Sequence, residues 1–248
     1  MRNSGDLIHK CSVFRHGISM IPTSSMAEQY YCEQKVEMEY IHGDVETEAT
    51  REGRILHQQL IQMKSITRDN LIKSIKKRKL VAASFPIFAR FSGLVLAGLP
   101  DAVVFVKGVP TYLIELKTTK GDTSRLWKDQ LVQVRIYGLI LQEMGFDCSR
   151  LKLVVVRIRR QSNTTEQYKE RFLQEMISNL LKQQAPVAKG GESTTHIIDY
   201  SRQDTVANVQ WVQTYWLSDR KPIPTSNPAK CKVCEFNRVC PSSLVKIA

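Results

Sequence analysis

An α/β fold is predicted by three textures that follow one another along this chain of 248 residues. Short β-branched and aromatic segments fill residues 82–117, a long amphipathic segment comes next, and a further strand and helix follow it. Sheet, helix and strand in that order give a central mixed sheet with helices laid against it. The composition, 42% hydrophobic and 24% charged, is that of a globular chain and argues against long disorder. One compact unit over residues 1–248 is therefore expected. No apolar run approaches the ~20 residues that cross a bilayer, and Met1–Ser12 lacks an apolar leader, so the expectation is no membrane partner and a cytoplasmic home.

In chain order, Thr23–Tyr40 is predicted to be helical, with Ser24 or Ser25 as its cap, Glu28 in its first turn and Cys32 inside it. A second helix is predicted over Glu52–Met63, where Leu56, Leu60 and Met63 recur at helical spacing. The basic run IKSIKKRK, containing Lys73–Lys79, reads either as a solvated face or as a phosphate-contacting edge. SFPIFARF, LVLAGL, AVVFV and TYLIELK form a predicted meander of strands punctuated by glycine and proline. Its last turn, Lys107-Gly108-Val109-Pro110, joins Ala102–Val106 to Thr111–Lys117. A helix over Ser124–Met144, a strand at Leu151–Ile158 and helices near Glu166–Gln183 and Val206–Leu217 complete the pattern, and the Pro-rich KPIPTSNP leads into a cysteine-rich end.

Thirty-six Lys and Arg against 24 Asp and Glu give a formal charge of +12, which suits a polyanionic partner. The cysteines stand at 11, 32, 148, 231, 234 and 240. Without a secretory leader they read as thiols or metal ligands, and three fall within ten residues. Cys231, Cys234 and Cys240 need one more donor for a four-coordinate site, which zinc and an iron–sulfur cluster satisfy equally on chemical grounds. Cys11 and Cys148 have no partner spacing and read as ordinary thiols.

The strongest chemical signal is Pro100-Asp101 followed by Glu115-Leu116-Lys117, with thirteen residues between the two acids. Strand alternation points Glu115 and Lys117 one way and Tyr112, Ile114 and Leu116 the other, into the core. With the hairpin centred on Gly108-Val109, position 101 is expected to pair with about position 116, beside the Glu115 and Lys117 pair; a slip of one residue changes the face. Two carboxylates and an ammonium are what phosphodiester cleavage requires. Hard oxygens hold Mg²⁺ or Mn²⁺, the metal activates water and neutralises phosphate charge, and the lysine orients that water. The bland reading of the same residues is an exposed, charged strand end.

Asp101, Glu115 and Lys117 resemble the PD-(D/E)xK core, and Gln133 with Tyr137, four apart on one helix face, resembles the Q-x-x-x-Y signature of RecB-like nucleases. Gly53-Arg54-Ile55-Leu56-His57 resembles their G-x-x-x-H segment. The Tyr30-Tyr31-Cys32 segment resembles the one that supplies the remote ligand in the iron–sulfur members. These pieces run from about Ser24 to Pro241 in the family's order, and NPAKCKVCEFNRVCP is similar to the C-terminus of the CRISPR-associated Cas-four family; exonuclease V-like repair nucleases share the catalytic motifs.

The resemblance implies a restriction-endonuclease-like core whose N- and C-terminal segments meet at a 4Fe-4S cluster held by Cys32, Cys231, Cys234 and Cys240. It implies a divalent metal on His57, Asp101 and Glu115 with the carbonyl of Leu116, and roles for Lys117 in placing water and for Gln133 and Tyr137 in holding the lysine or the DNA. The implied activity is that of a single-strand-preferring DNA exonuclease of 5′ to 3′ polarity that serves spacer acquisition, with CRISPR integrase proteins as candidate partners. A repair nuclease and a non-cleaving DNA-end-binding or partner-binding module are the alternatives. Trp127 or the Trp211 and Trp216 pair are candidates for base stacking, against core packing as the usual role of tryptophan.

Overall fold

The computed structural model describes residues 13–43, 68–159, 166–182 and 193–245. The predicted helix over 52–63, His57 and Cys11 lie outside the described residues.

Branched and aromatic residues dominate the meander, and they pair because their side chains pack on a pleated, half-buried surface. Two sheets result. The smaller joins β1 (Ile21–Pro22), β3 (Ile87–Phe91) and β4 (Leu94–Gly98) in the order β1-β4-β3. The larger is mixed, as predicted, and runs β2-β5-β6-β7-β8 from β2 (Leu80–Ala83), β5 (Ala102–Val106), β6 (Val109–Thr119), β7 (Lys152–Arg159) and β8 (Ser193–Asp199). Only β6 and β7 in that sheet are parallel, because α3 (Lys128–Glu143) carries the chain across between them.

The β5–β6 turn is tighter than predicted. Val106 pairs with Val109, leaving only Lys107 and Gly108 in the loop. Their φ values of +50° and +86° are those of a two-residue turn whose twist matches the strands, and Gly108 accepts this conformation without steric strain. Pro110 lies inside β6, opposite Phe105. The next pair is Val104 with Tyr112, so Thr111 is an extra residue on β6, and beyond this bulge Ala102 faces Ile114. Continuing the ladder by one residue sets Asp101 opposite Glu115, one position from the expected partner at 116. Without the bulge Asp101 would face Ile114 and point away from Glu115. The bulge is what turns the two acids to the same side.

Both faces of the larger sheet are covered. Val104, Ile114, Leu116, Val154 and Val156 pack with Met176 and Leu180 of α4 (Glu166–Leu181). Val103, Phe105, Leu113, Leu153 and Val155 belong to the main core with Ile136, Leu139 and Ile140 of α3. That core also takes in α1 (Thr23–His42) and α5 (Arg202–Leu217) through residues such as Met26, Val36, Val212 and Trp216. The basic run falls at the end of α2 (Arg68–Lys77) and just beyond it.

Helix ends depart from prediction for local reasons. Pro22 occupies the N-cap of α1, Ser24 and Ser25 lie within the helix, and no acid stands in its first turn, so Glu28 lies further along. α3 starts at Lys128 because Asp122 accepts from both the backbone N–H and the hydroxyl of Ser124, a local turn that competes with helix. α5 begins four residues earlier than predicted because Ser201 accepts from the Asp204 N–H, a cap placed ahead of the first apolar residue. A short final helix, α6 (Pro228–Lys232), carries Cys231.

Candidate active site

Asp101 and Glu115 are buried, with exposures of 0% and 3%, so the bland reading of an exposed charged strand end fails. Asp101 accepts a hydrogen bond from the backbone N–H of Leu116 at 2.6 Å, which fixes its carboxylate against β6. Glu115 Oε1 accepts from Gln133 Nε2 at 3.0 Å and lies 2.9 Å from Lys117 Nζ. Lys117 Nζ also donates to Gln133 Oε1 at 2.7 Å, and Gln133 Nε2 donates to the Tyr137 hydroxyl at 2.9 Å. A single amide thus ties the acid, the lysine and the tyrosine into one network. The residues that sequence reasoning grouped as Asp101, Glu115, Lys117, Gln133 and Tyr137 are brought together.

The electrostatics follow from burial. The Lys117 ammonium is held above its ordinary value: burial works against its charge, but the charge and hydrogen bond of Glu115, with Asp101 and Asp129 beyond, outweigh that penalty. Burial pushes the Tyr137 hydroxyl well up, aided by the charge of Glu115, so this group stays protonated and can donate. Tyr137 is seated by Gly98, where a Cβ would stand 2.4 Å from the tyrosine ring and 2.9 Å from Thr23 Oγ1. Only a residue without a side chain lets α3 approach β4 this closely.

A sequence model of the PD-(D/E)XK nuclease superfamily matches residues 5–241. The chain belongs to the PD-(D/E)XK nuclease superfamily. Among solved structures, SSO0001 is similar over 91% of this chain and 88% of that chain, at 16% identity and a TM-score of 0.43. The alkaline exonuclease LHK-Exo from Laribacter hongkongensis is similar over 79% and 85%, at 12% identity and a TM-score of 0.41. No curated protein matches. Superfamily membership therefore rests on the sequence match.

In this PD-(D/E)XK member the sheet face of Glu115 and Lys117 carries a residue that sequence reasoning missed. Arg157 pairs with Lys117 across the parallel ladder, is 3% exposed and donates to the Arg125 carbonyl. Strand alternation in KLVVVRIR was the available signal.

The four predicted cluster ligands also converge: Cys32, Cys231, Cys234 and Cys240 line one cavity with Tyr31 and Phe236. Helix α1 breaks at Cys32, whose φ of −171° and ψ of 115° are extended. The break frees the Glu33 N–H, which donates to the Ile223 carbonyl at 3.2 Å, while the Thr225 N–H points at Cys32 Sγ at 3.4 Å. Glu33, fully buried, accepts two bonds from Arg220 at 2.6 and 2.7 Å and one from the Ile223 N–H at 2.8 Å. This clamp, also missed from sequence, ties residues 220–225 to α1. Burial raises the Cys240 thiol and pushes the Cys234 thiol up to about 11. Among the described residues, no group of three or more His, Cys, Asp or Glu is arranged to hold a metal ion. No helix of the described residues is long and apolar enough to cross a membrane.

The tryptophans divide. Trp216 is buried, as the core-packing expectation has it, whereas Trp127 and Trp211 are exposed by 40% and 39%. Cys148 is buried, and burial pushes its thiol up to about 12.

Proposed function

We propose that this superfamily member is a divalent-metal-dependent DNA nuclease that digests single strands from an end. The observation that carries the reading is the shared network on Glu115 Oε1, with Asp101 held on the same side by the bulge. Two buried carboxylates beside one ammonium suit a hard cation far better than they suit a bare phosphate. Asp101 and Glu115 would hold Mg²⁺ or Mn²⁺, with the Leu116 carbonyl and His57 as further ligands. The ion supplies an activated water and charge neutralisation at the phosphate. Lys117 then holds the water or a phosphate oxygen through its remaining N–H. Gln133 fixes the lysine relative to Glu115, and Tyr137 fixes Gln133. A non-cleaving binder would have no use for two buried acids next to phosphate.

The cysteine cavity fits a 4Fe-4S cluster in donor chemistry. Four thiols line it, and a backbone N–H aimed at one sulfur is the kind of contact that tunes such clusters. The cluster would then join the two ends of the chain into one unit. The similarity of NPAKCKVCEFNRVCP to the CRISPR-associated family supports spacer acquisition as the setting, with 5′ to 3′ polarity and integrase proteins as partners.

The test is Mg²⁺- or Mn²⁺-dependent digestion of end-labelled single-stranded DNA, run beside a binding assay in EDTA. Asp101→Ala and Glu115→Ala should each reduce cleavage by about 10²–10³-fold, the scale of losing one preorganised charge-stabilising group, with DNA binding kept. Digestion by either variant at the parental rate would return the binding-module reading. Iron analysis of anaerobically purified protein tests the cluster: four irons per chain are expected, and one zinc would replace that reading.

A further inference from the structure

An open groove of about 540 Å³ lies beside the cysteine cavity, between α1, α5 and the segment around residues 223–230. Its walls carry Tyr30, Tyr31 and Trp211 together with Lys128 and Lys230, and no carboxylate lines it among the described residues. Trp211 is tilted against Tyr30 with ring centroids 4.6 Å apart, and its outer side is exposed. Lys128 Nζ sits 4.7 Å from the Tyr30 ring centre, and Lys230 Nζ sits 4.5 Å from that of Tyr31. Tyr30 is anchored in turn: its hydroxyl donates to the Asn208 carbonyl at 3.1 Å and accepts from Asn208 Nδ2 at 3.2 Å. A fixed aromatic shelf flanked by ammonium groups is the recognition chemistry of single-stranded nucleic acid, in which bases stack on rings and phosphates meet cations.

The groove and the candidate catalytic row share one helix. Lys128 opens α3 and Gln133 lies five residues further along it, about 8 Å at the helical rise of ~1.5 Å per residue. Asp129, next to Lys128, lies within electrostatic reach of both Lys117 and Lys230.

We propose that this groove is the track for the single-stranded part of the substrate, with a base stacked on Trp211 and backbone phosphates on Lys128 and Lys230. The inference rests on the nuclease reading and adds where the strand runs. The chain's +12 charge supplies the long-range attraction, and the groove supplies the local fit.

Binding of a fluorescent oligothymidylate to the full chain in EDTA tests the track without cleavage. Trp211→Ala should weaken binding by about 5- to 150-fold, the worth of one stacked base, with the salt dependence unchanged, and Trp211→Phe should recover most of the loss. Lys128→Ala with Lys230→Ala should lower the log-log salt slope by about 1.4, at ~0.7 for each phosphate contact. Lys152→Ala, on an exposed cation that pairs with Asp199, should change neither quantity. Parental affinity in both groove variants, or equal weakening for a blunt duplex of the same length, overturns the track. The two readings fail separately. Loss of binding in the groove variants of a chain that cuts no DNA supports the track and removes the nuclease. Unchanged binding in groove variants of a chain whose Asp101→Ala form is inactive removes only the track.

Discussion

The candidate catalytic row and the cysteine cavity are built on opposite plans. In the row, the side chains project from β6, from α3 and, for Asp101, from the residue just before β5, and their polar groups already touch: Lys117 and Gln133 lie within 3.0 Å of each other and of Glu115. In the cavity, one thiol sits at a break in α1 and three sit on a short helix and the turns after it, lining a common space without forming a metal-holding group among the described residues. Regular elements preset the geometry of a site. Irregular segments need the ligand itself, or an external clamp, to finish it. Here that clamp is Arg220 on Glu33.

This contrast makes the row sensitive in chemistry and the cavity sensitive in stability, and the largest effect expected belongs to the row. Lys117→Ala removes the ammonium that Glu115 and Gln133 hold in place, so single-turnover cleavage should fall by about 10²–10³-fold. Binding of Mn²⁺, measured by calorimetry, should persist because Lys117 is not a ligand. Loss of Mn²⁺ binding along with cleavage would show that the row is not preset, and the contrast would collapse. Cys32→Ala should do the reverse: iron content and thermal stability drop together, with the Asp101 and Glu115 pair intact. A variant that keeps its iron would remove Cys32 from the ligand set.

How far the sequence led differs between the two regions as well. Alternation along TYLIELK and the four-residue spacing of Gln133 and Tyr137 were enough to group the candidate catalytic residues, because a strand and a helix translate spacing directly into direction. The bulge at Thr111 was not legible. It arises from competition between a two-residue turn and the ladder beyond it, and it decides on which face Asp101 falls. The late start of α3 was hidden in an aspartate turn, and the early start of α5 in a serine cap. Near the cavity, spacing identified the thiols, but the Glu33 and Arg220 contact spans 187 residues and has no sequence signature.

Arg220→Ala tests the clamp. Glu33 has no exposure and would keep only Gln29 and the Ile223 N–H as donors, so removing the guanidinium strands a buried charge, at about 3 kcal/mol. The loss should appear first as faster hydrogen exchange in residues 220–232 and weaker cluster retention, with cleavage by cluster-loaded protein near parental. Equal loss of exchange protection along β6 would mean the two regions do not come apart.

The smallest effect is expected where the same kind of ion pair stands in water. Lys152 and Asp199 approach to 2.6 Å, as close as Arg220 and Glu33, but their side chains are 44% and 85% exposed. Solvent screens such a pair, and ordering two flexible side chains offsets most of the attraction, so Lys152→Ala should alter unfolding stability by less than about 0.5 kcal/mol. It should also leave cleavage and iron content unchanged, since Lys152 begins β7 at the end of the ladder away from Lys117 and Arg157. Chemical denaturation of this variant beside Arg220→Ala compares two ion pairs of equal length. If Lys152→Ala proved as damaging as Arg220→Ala, burial would not be what distinguishes the clamp, and the stability assigned to the cavity's surroundings would have to come from elsewhere in the fold.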